Sequence, residues 1–150
     1  MFKETTWKDG EKKVQDHMKA KGYKILYTNF SCVGVELDIV AILPRKIQIK
    51  TLKQDYKQKM ITDKVHKKIY RMSLKSLLKT VADLLVITEV KARETDKYGL
   101  GSESISDFKK QHIVRGARFL QQDKRFSRMQ IRFDVASVDS GNVTYIQRVF

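Results

Sequence analysis

Asp83-Leu84-Leu85-Val86-Ile87-Thr88-Glu89-Val90-Lys91 reads as a strand that is apolar for most of its length and charged at its end. Side chains alternate across a strand, so Glu89 and Lys91 share the face of Leu85 and Ile87, with Val90 intervening on the other. Charges turned toward a core need partners, because unpaired they are expensive to bury. A bound divalent cation would provide one, with Glu89 as an oxygen ligand and Lys91 facing a phosphate or an attacking water. An ion pair at a strand end leaving the core is the alternative.

Working outward, Val35-Glu36-Leu37-Asp38-Ile39-Val40-Ala41-Ile42 is a second strand, with Glu36 and Asp38 on one face and Leu37, Ile39 and Ala41 on the other. Tyr23 to Phe30 precedes it as a strand closed by a polar turn around Asn29 to Gly34. Before that, Thr6 and Asp9 resemble a capping box and Gly22 a left-handed stop, which predicts a helix over Trp7 to Lys21. Its apolar stripe is Trp7, Val14 and Met18, and Glu11 falls on the same stripe. If the second strand pairs with the one ending at Glu89, the sheet gathers Glu36, Asp38, Glu89 and Lys91, with Glu11 approaching from the packed helix. Several carboxylates and one lysine suit a hard cation such as Mg²⁺.

The 150 residues suit one domain with a sizeable core, and the 41% hydrophobic content argues against disorder. A net charge of +14 favours a polyanionic partner, most often nucleic acid. No apolar run reaches transmembrane length, so a membrane is the weaker partner. Met1 to Gly10 has no apolar signal-like region, and Cys32 is the single cysteine, so we expect a cytoplasmic protein without disulfides. Most of the charge lies in Arg45 to Thr80, where twelve Lys and Arg face two Asp and carry +10 of the net +14. Within it, Lys46 to Leu52 alternates like a short extra strand. Val65, Ile69 and Met72, then Leu74, Leu77, Leu78 and Val81, recur at helical spacing, which predicts one or two amphipathic helices with a basic outer face. Tyr56 and Tyr70 interleave with the charges, as phosphate contact and base stacking would require.

After Arg93, Gly99 and Gly101 mark a loop, and Ser104 or Ser106 caps a helix. The core face of that helix is Ile113, Val114, Ala117 and Leu120, with Arg115 and Arg118 opposite and Lys109 at the border. Gln130 to Val138 and Val143 to Val149 form two strands joined at Ser140-Gly141-Asn142. Asp134 reads as half of a structural ion pair with Arg132. The mixture predicts an α/β sheet flanked by helices, with a basic helical insertion over 45–80 between two core strands.

Taken in order, Gly10-Glu11, Gly22-Tyr23-Lys24-Ile25-Leu26, Asn29, Glu36-Leu37-Asp38-Ile39-Val40-Ala41, Glu89-Val90-Lys91-Ala92-Arg93, Lys109 and Arg132-Phe133-Asp134-Val135 resemble the YraN-like uncharacterised family. That family is a branch of the PD-(D/E)XK nuclease superfamily, related to Holliday junction resolvases. The resemblance covers nearly the whole chain outside Arg45 to Thr80. It implies a restriction-endonuclease-like fold in which Asp38 and Glu89, with Val90, hold Mg²⁺ or Mn²⁺, Lys91 orients the attacking water and Glu11 is the helix acid. Lys64, Lys67, Lys68, Arg71 and Lys109 would contact nucleic acid. Three departures stand out: Val35 and Trp7 replace family glycines, and the link from Asp38 to Glu89 is longer.

The expected activity is therefore that of a metal-dependent endonuclease hydrolysing phosphodiester bonds in DNA, branched or single-stranded, and a homodimer would suit the cutting of two strands. A non-catalytic DNA- or RNA-binding module, with the acids and lysine as a structural cluster, is the alternative. An RNA- or ribosome-associated accessory protein is a third.

Overall fold

The computed structural model describes residues 2–63, 65–93 and 105–150, with side chains from Lys8 onward and, in the strand ending at Arg93, up to Lys91. Lys64, the Gly99 and Gly101 segment, Ser104 and the Trp7 side chain lie outside this description. In chain order the elements are α1 (Phe2–Ala20), β1 (Lys24–Cys32), β2 (Val35–Leu43), α2 (Arg45–Thr62), α3 (Lys67–Thr80), β3 (Leu84–Arg93), α4 (Asp107–Leu120), β4 (Gln130–Asp139) and β5 (Asn142–Ile146). The described strands form one mixed sheet in the order β1-β2-β3-β4-β5. Only β3 and β4 are parallel, and α4 makes the crossover that a parallel pair needs.

Strand alternation assigns the two faces. Ile39 and Ala41 of β2, Val86 and Val90 of β3 and Ala136 and Val138 of β4 pack with Val14 and Met18 of α1. Val40 of β2 and Leu85 and Ile87 of β3 pack with Ile113, Ala117 and Leu120 of α4. The fold is thus an α/β sheet covered by helices on both faces. Gly116 lets α4 lie close, because a Cβ there would meet Leu37 Cδ2 at 2.9 Å. Leu37 accordingly packs under α4, not with Ile39 and Ala41 as strict alternation predicts. Asn29, between Thr28 and Phe30 and so across from Asp38, has φ of 50°, and the register of the β1–β2 pair shifts between Ile25 and Tyr27.

Several boundaries differ from expectation. α1 already runs from Phe2, so Thr6 and Asp9 lie within it and do not start it. β1 continues to Cys32, and Val33 and Gly34 alone make the turn, both with positive φ, as a tight two-residue hairpin requires. β5 stops at Ile146, short of Val149. Arg148 there adopts φ of 56°, and its backbone N–H donates to the Asp134 carboxylate at 3.0 Å.

Lys46 to Leu52 is not a strand; it belongs to α2. β2 is paired on both sides, by β1 and β3, so the chain leaving it has no adjacent open edge to join. The Lys, Gln and Leu content of the segment favours helix. Arg45 N–H donates to Asp83 at 2.7 Å, and the Gln48 amide donates to the Ala82 carbonyl at 2.7 Å, tying the start of α2 to the chain entering β3.

Neither α2 nor α3 buries a residue fully. Tyr70, Leu74 and Leu78 are half-buried, whereas Val65, Ile69 and Met72 are exposed. The outer face of this basic hairpin is therefore partly apolar.

Candidate functional site

The regular β2–β3 ladder ends at Ile39 opposite Thr88. Beyond that pair, the Val90 N–H donates to the Asp38 carboxylate at 2.8 Å, so a side chain satisfies a buried backbone donor. Asp38 is itself 7% exposed. Alternation brings Glu89 to the same sheet face, where its carboxylate is 3.2 Å from Lys109 Nζ. Lys109 reaches it from the first turn of α4, whose start is fixed by the Ser106 hydroxyl accepting from the Lys109 N–H at 3.2 Å.

Burial first and the neighbouring Glu89 carboxylate second raise the Asp38 carboxyl to about 7, against the opposing pull of the Val90 N–H and the Lys109 ammonium. Two carboxylates on neighbouring core strands thus sit close together in a poorly solvated place. Such an oxygen-only donor set fits a hard divalent cation, which would relieve that repulsion. Mg²⁺ takes one or two carboxylates and keeps much of its water. Among the described residues no three His, Cys, Asp or Glu side chains assemble as a larger metal-holding group.

Direct contacts join Asp38, Val90, Glu89 and Lys109, of which Lys109 was expected to serve nucleic acid and stands at the carboxylates. Lys91 is half-buried and follows Glu89 on the same strand face. Glu11 is 5% exposed on α1, which covers the opposite side of the sheet, and its carboxylate accepts from the Asn29 amide at 3.1 Å. Glu36 is exposed beside the Val33-Gly34 turn. Lys67, Lys68 and Arg71 are exposed on α3.

The Asp134 region is structural. Its carboxylate takes paired hydrogen bonds from Arg132, the shortest 2.6 Å, and a 2.7 Å bond from the Tyr145 hydroxyl. The same Arg132 Nη2 also donates to the Tyr23 hydroxyl at 2.6 Å, and Thr88 meets Tyr145 at 2.9 Å. The Arg132-Phe133-Asp134 spacing signalled the ion pair, since two residues apart on a strand share a face. The distant tyrosines carried no local signal.

A two-faced α/β sheet with a pair of close carboxylates and a helix lysine at the end of its central strands defines the class of protein. The model of the uncharacterised protein family UPF0102 matches residues 10–79 and 75–138, and the chain belongs to that family, the YraN-like one. It is 29% identical over 136 residues to a UPF0102 protein of Caldanaerobacter subterraneus subsp. tengcongensis, covering 91% of this chain and 80% of that one. A UPF0102 protein of Persephonella marina is 25% identical over 150 residues, covering 100% and 97% of the two chains. One from Clostridium acetobutylicum is 29% identical over 147 residues, covering 94% and 89%.

Proposed function

We propose that this chain is a metal-dependent nuclease that hydrolyses phosphodiester bonds in DNA at the Asp38–Glu89 site. The observation that carries this reading is the Asp38 carboxyl, buried, held by the Val90 N–H and pushed up to about 7 in a place it shares with Glu89. Asp38, Glu89 and the Val90 main chain would hold Mg²⁺ or Mn²⁺. Such an ion supplies polarisation of the phosphate and a more acidic bound water. Lys91 orients the attacking water, and Lys109 holds Glu89 in position at 3.2 Å. Glu11, on α1, is the helix acid, and it fixes Asn29 across the β1–β2 pair from Asp38. The basic side chains of α2 and α3 hold the backbone of the nucleic acid.

Purified chain is to be assayed on linear, single-stranded, flap and four-way-junction DNA, with Mg²⁺ binding followed by calorimetry. Glu89→Ala removes both metal binding and cleavage. Lys91→Ala keeps metal binding and loses most cleavage, by a factor of about 10² or more. Cleavage that survives Asp38→Ala and Glu89→Ala unchanged would sink the assignment.

A second reading has its own observation, the 3.2 Å Glu89–Lys109 ion pair, which already gives Glu89 a cationic partner. On that reading the cluster is structural and the chain binds nucleic acid without cutting it. Calorimetry showing no Mg²⁺ uptake by the wild-type chain, alongside intact nucleic-acid binding, would select it.

A further inference from the structure

We propose that the flank of α4 carrying Phe108, His112 and Phe119 is a stacking track for the unpaired bases of a nucleic-acid strand running toward the carboxylate site. The destination of the strand rests on the nuclease reading, whereas its binding does not. On an α-helix, residues four and eleven positions after Phe108 return to nearly the same flank. The core side of α4 is already supplied by Ile113, Gly116, Ala117 and Leu120, so these rings are not needed to fill it.

Phe108 is 70% exposed, an unusual place for a phenyl ring, and Phe119 is 39% exposed. The rings form two groups along this flank. Phe108 lies 4.2 Å, centroid to centroid, from His112. Farther along, Phe119 is 6.4 Å from Phe30, which is 4.8 Å from Tyr27. From Phe108 to Phe119 the helix advances about 16 Å, room for a few nucleotides.

Charge on this flank matches a polyanion. Arg115, seven residues after Phe108, lies on the same line and is exposed. Arg125 donates to the Tyr27 hydroxyl at 3.2 Å and neutralises Asp123 at 2.7 Å, and among the described residues of α4 Asp107 is the one acid. The track ends at the site, because Lys109, next to Phe108, is the residue that contacts Glu89. Aromatic rings with interspersed arginines bind single strands by stacking, and a duplex hides the base faces that such rings engage. The basic face of α3 senses phosphates in either form, so discrimination between single and double strands falls to α4.

The test uses the wild-type chain in EDTA, so that binding is read without cutting. Probes are a labelled oligothymidylate, an oligouridylate of the same length and a duplex. Phe108→Ala and Phe119→Ala each weaken single-strand binding by about 5- to 100-fold and leave duplex binding within about twofold. Phe108→Trp restores affinity, and its emission, taken as a difference against the natural single tryptophan, is quenched by the single strand. Quenching by both oligomers identifies a general single-strand track, and quenching by one alone identifies it as selective for DNA or RNA. Equal losses on single strand and duplex, or Trp emission unmoved at saturation, overturn the proposal. Circular dichroism of each variant checks the fold. Because cleavage is not measured, failure here leaves the nuclease assignment standing, and failure of the cleavage assay leaves this one standing.

Discussion

At the scale of the residue, Asp38 couples stability to pH in an unusual direction. Its carboxyl is raised by burial and by Glu89 to about 7, above the ordinary 3.8, so the native chain retains a proton that the unfolded chain releases. Stability from this group is therefore full below pH of about 4 and is lost as pH climbs to about 7. The loss is roughly 2 to 4 kcal/mol for a shift of this size, and it belongs to the Asp38–Glu89 pair more than to either group. Asp38→Asn keeps an acceptor for the Val90 N–H and carries no charge. In EDTA it should match wild type near pH 4 and exceed it at pH 8, measured by urea unfolding. An Asn variant less stable than wild type at pH 8 would mean that the native cluster depends on an ionised Asp38. Asp134, also buried, instead accepts hydrogen bonds from Arg132, the Tyr145 hydroxyl and the Arg148 N–H.

At the scale of the element, the α2–α3 hairpin is the least integrated part of the described fold. Hydrogen bonds from Arg45 and Gln48 anchor its base, and Asp63 organises its tip by accepting from the Tyr70 hydroxyl at 3.0 Å and pairing with His66 at 2.8 Å. With no fully buried residue, it tolerates surface substitution well. Lys67, Lys68 and Arg71 replaced by Gln should leave the fold intact, since Gln is as good a helix former. If these three contact phosphates of duplex DNA, the slope of log affinity against log salt flattens by about 2 to 3. Affinity then falls alike for every sequence, and Mg²⁺ uptake is unchanged. An unchanged slope, read by fluorescence anisotropy across a salt series, would show that this face is merely solvated and move the phosphate contacts to α4 and the Arg125 and Arg128 region.

At the scale of the whole molecule, +14 net charge on 150 residues imposes self-repulsion on the compact state. Salt shortens the reach of that repulsion to about 10 Å at 0.1 M. Thermal unfolding should therefore move upward by a few degrees as NaCl rises from about 10 mM to about 300 mM, where most surface-neutral proteins barely move. A polyanion should give the same rise at far lower concentration. Scanning calorimetry in NaCl and in heparin checks this, and a flat response to both would mean the charges are already spread too thinly to oppose folding.

Much of this molecule was legible in one dimension. The alternation of Leu84 to Lys91 settled which side chains of β3 share a face, because a strand's two-residue period is local and needs no partner to exist. The same holds for the stripe of α1, the Ser106 cap and the Arg132–Asp134 pair. Local periodicity failed at Lys46 to Leu52, where two isoleucines alternated by chance in a helix-forming segment and the occupied edges of β2 decided the matter. It also placed Val65, Ile69 and Met72 on a common stripe without revealing that this stripe faces outward. Only the tertiary structure decided that Asp38 takes the Val90 N–H from 52 residues away, that Lys109 meets Glu89, and that Glu11 arrives from the opposite side of the sheet. Those relations depend on register and on which layer each helix occupies. Both are set by the burial of the whole set of apolar faces at once, and no single stretch of sequence contains them.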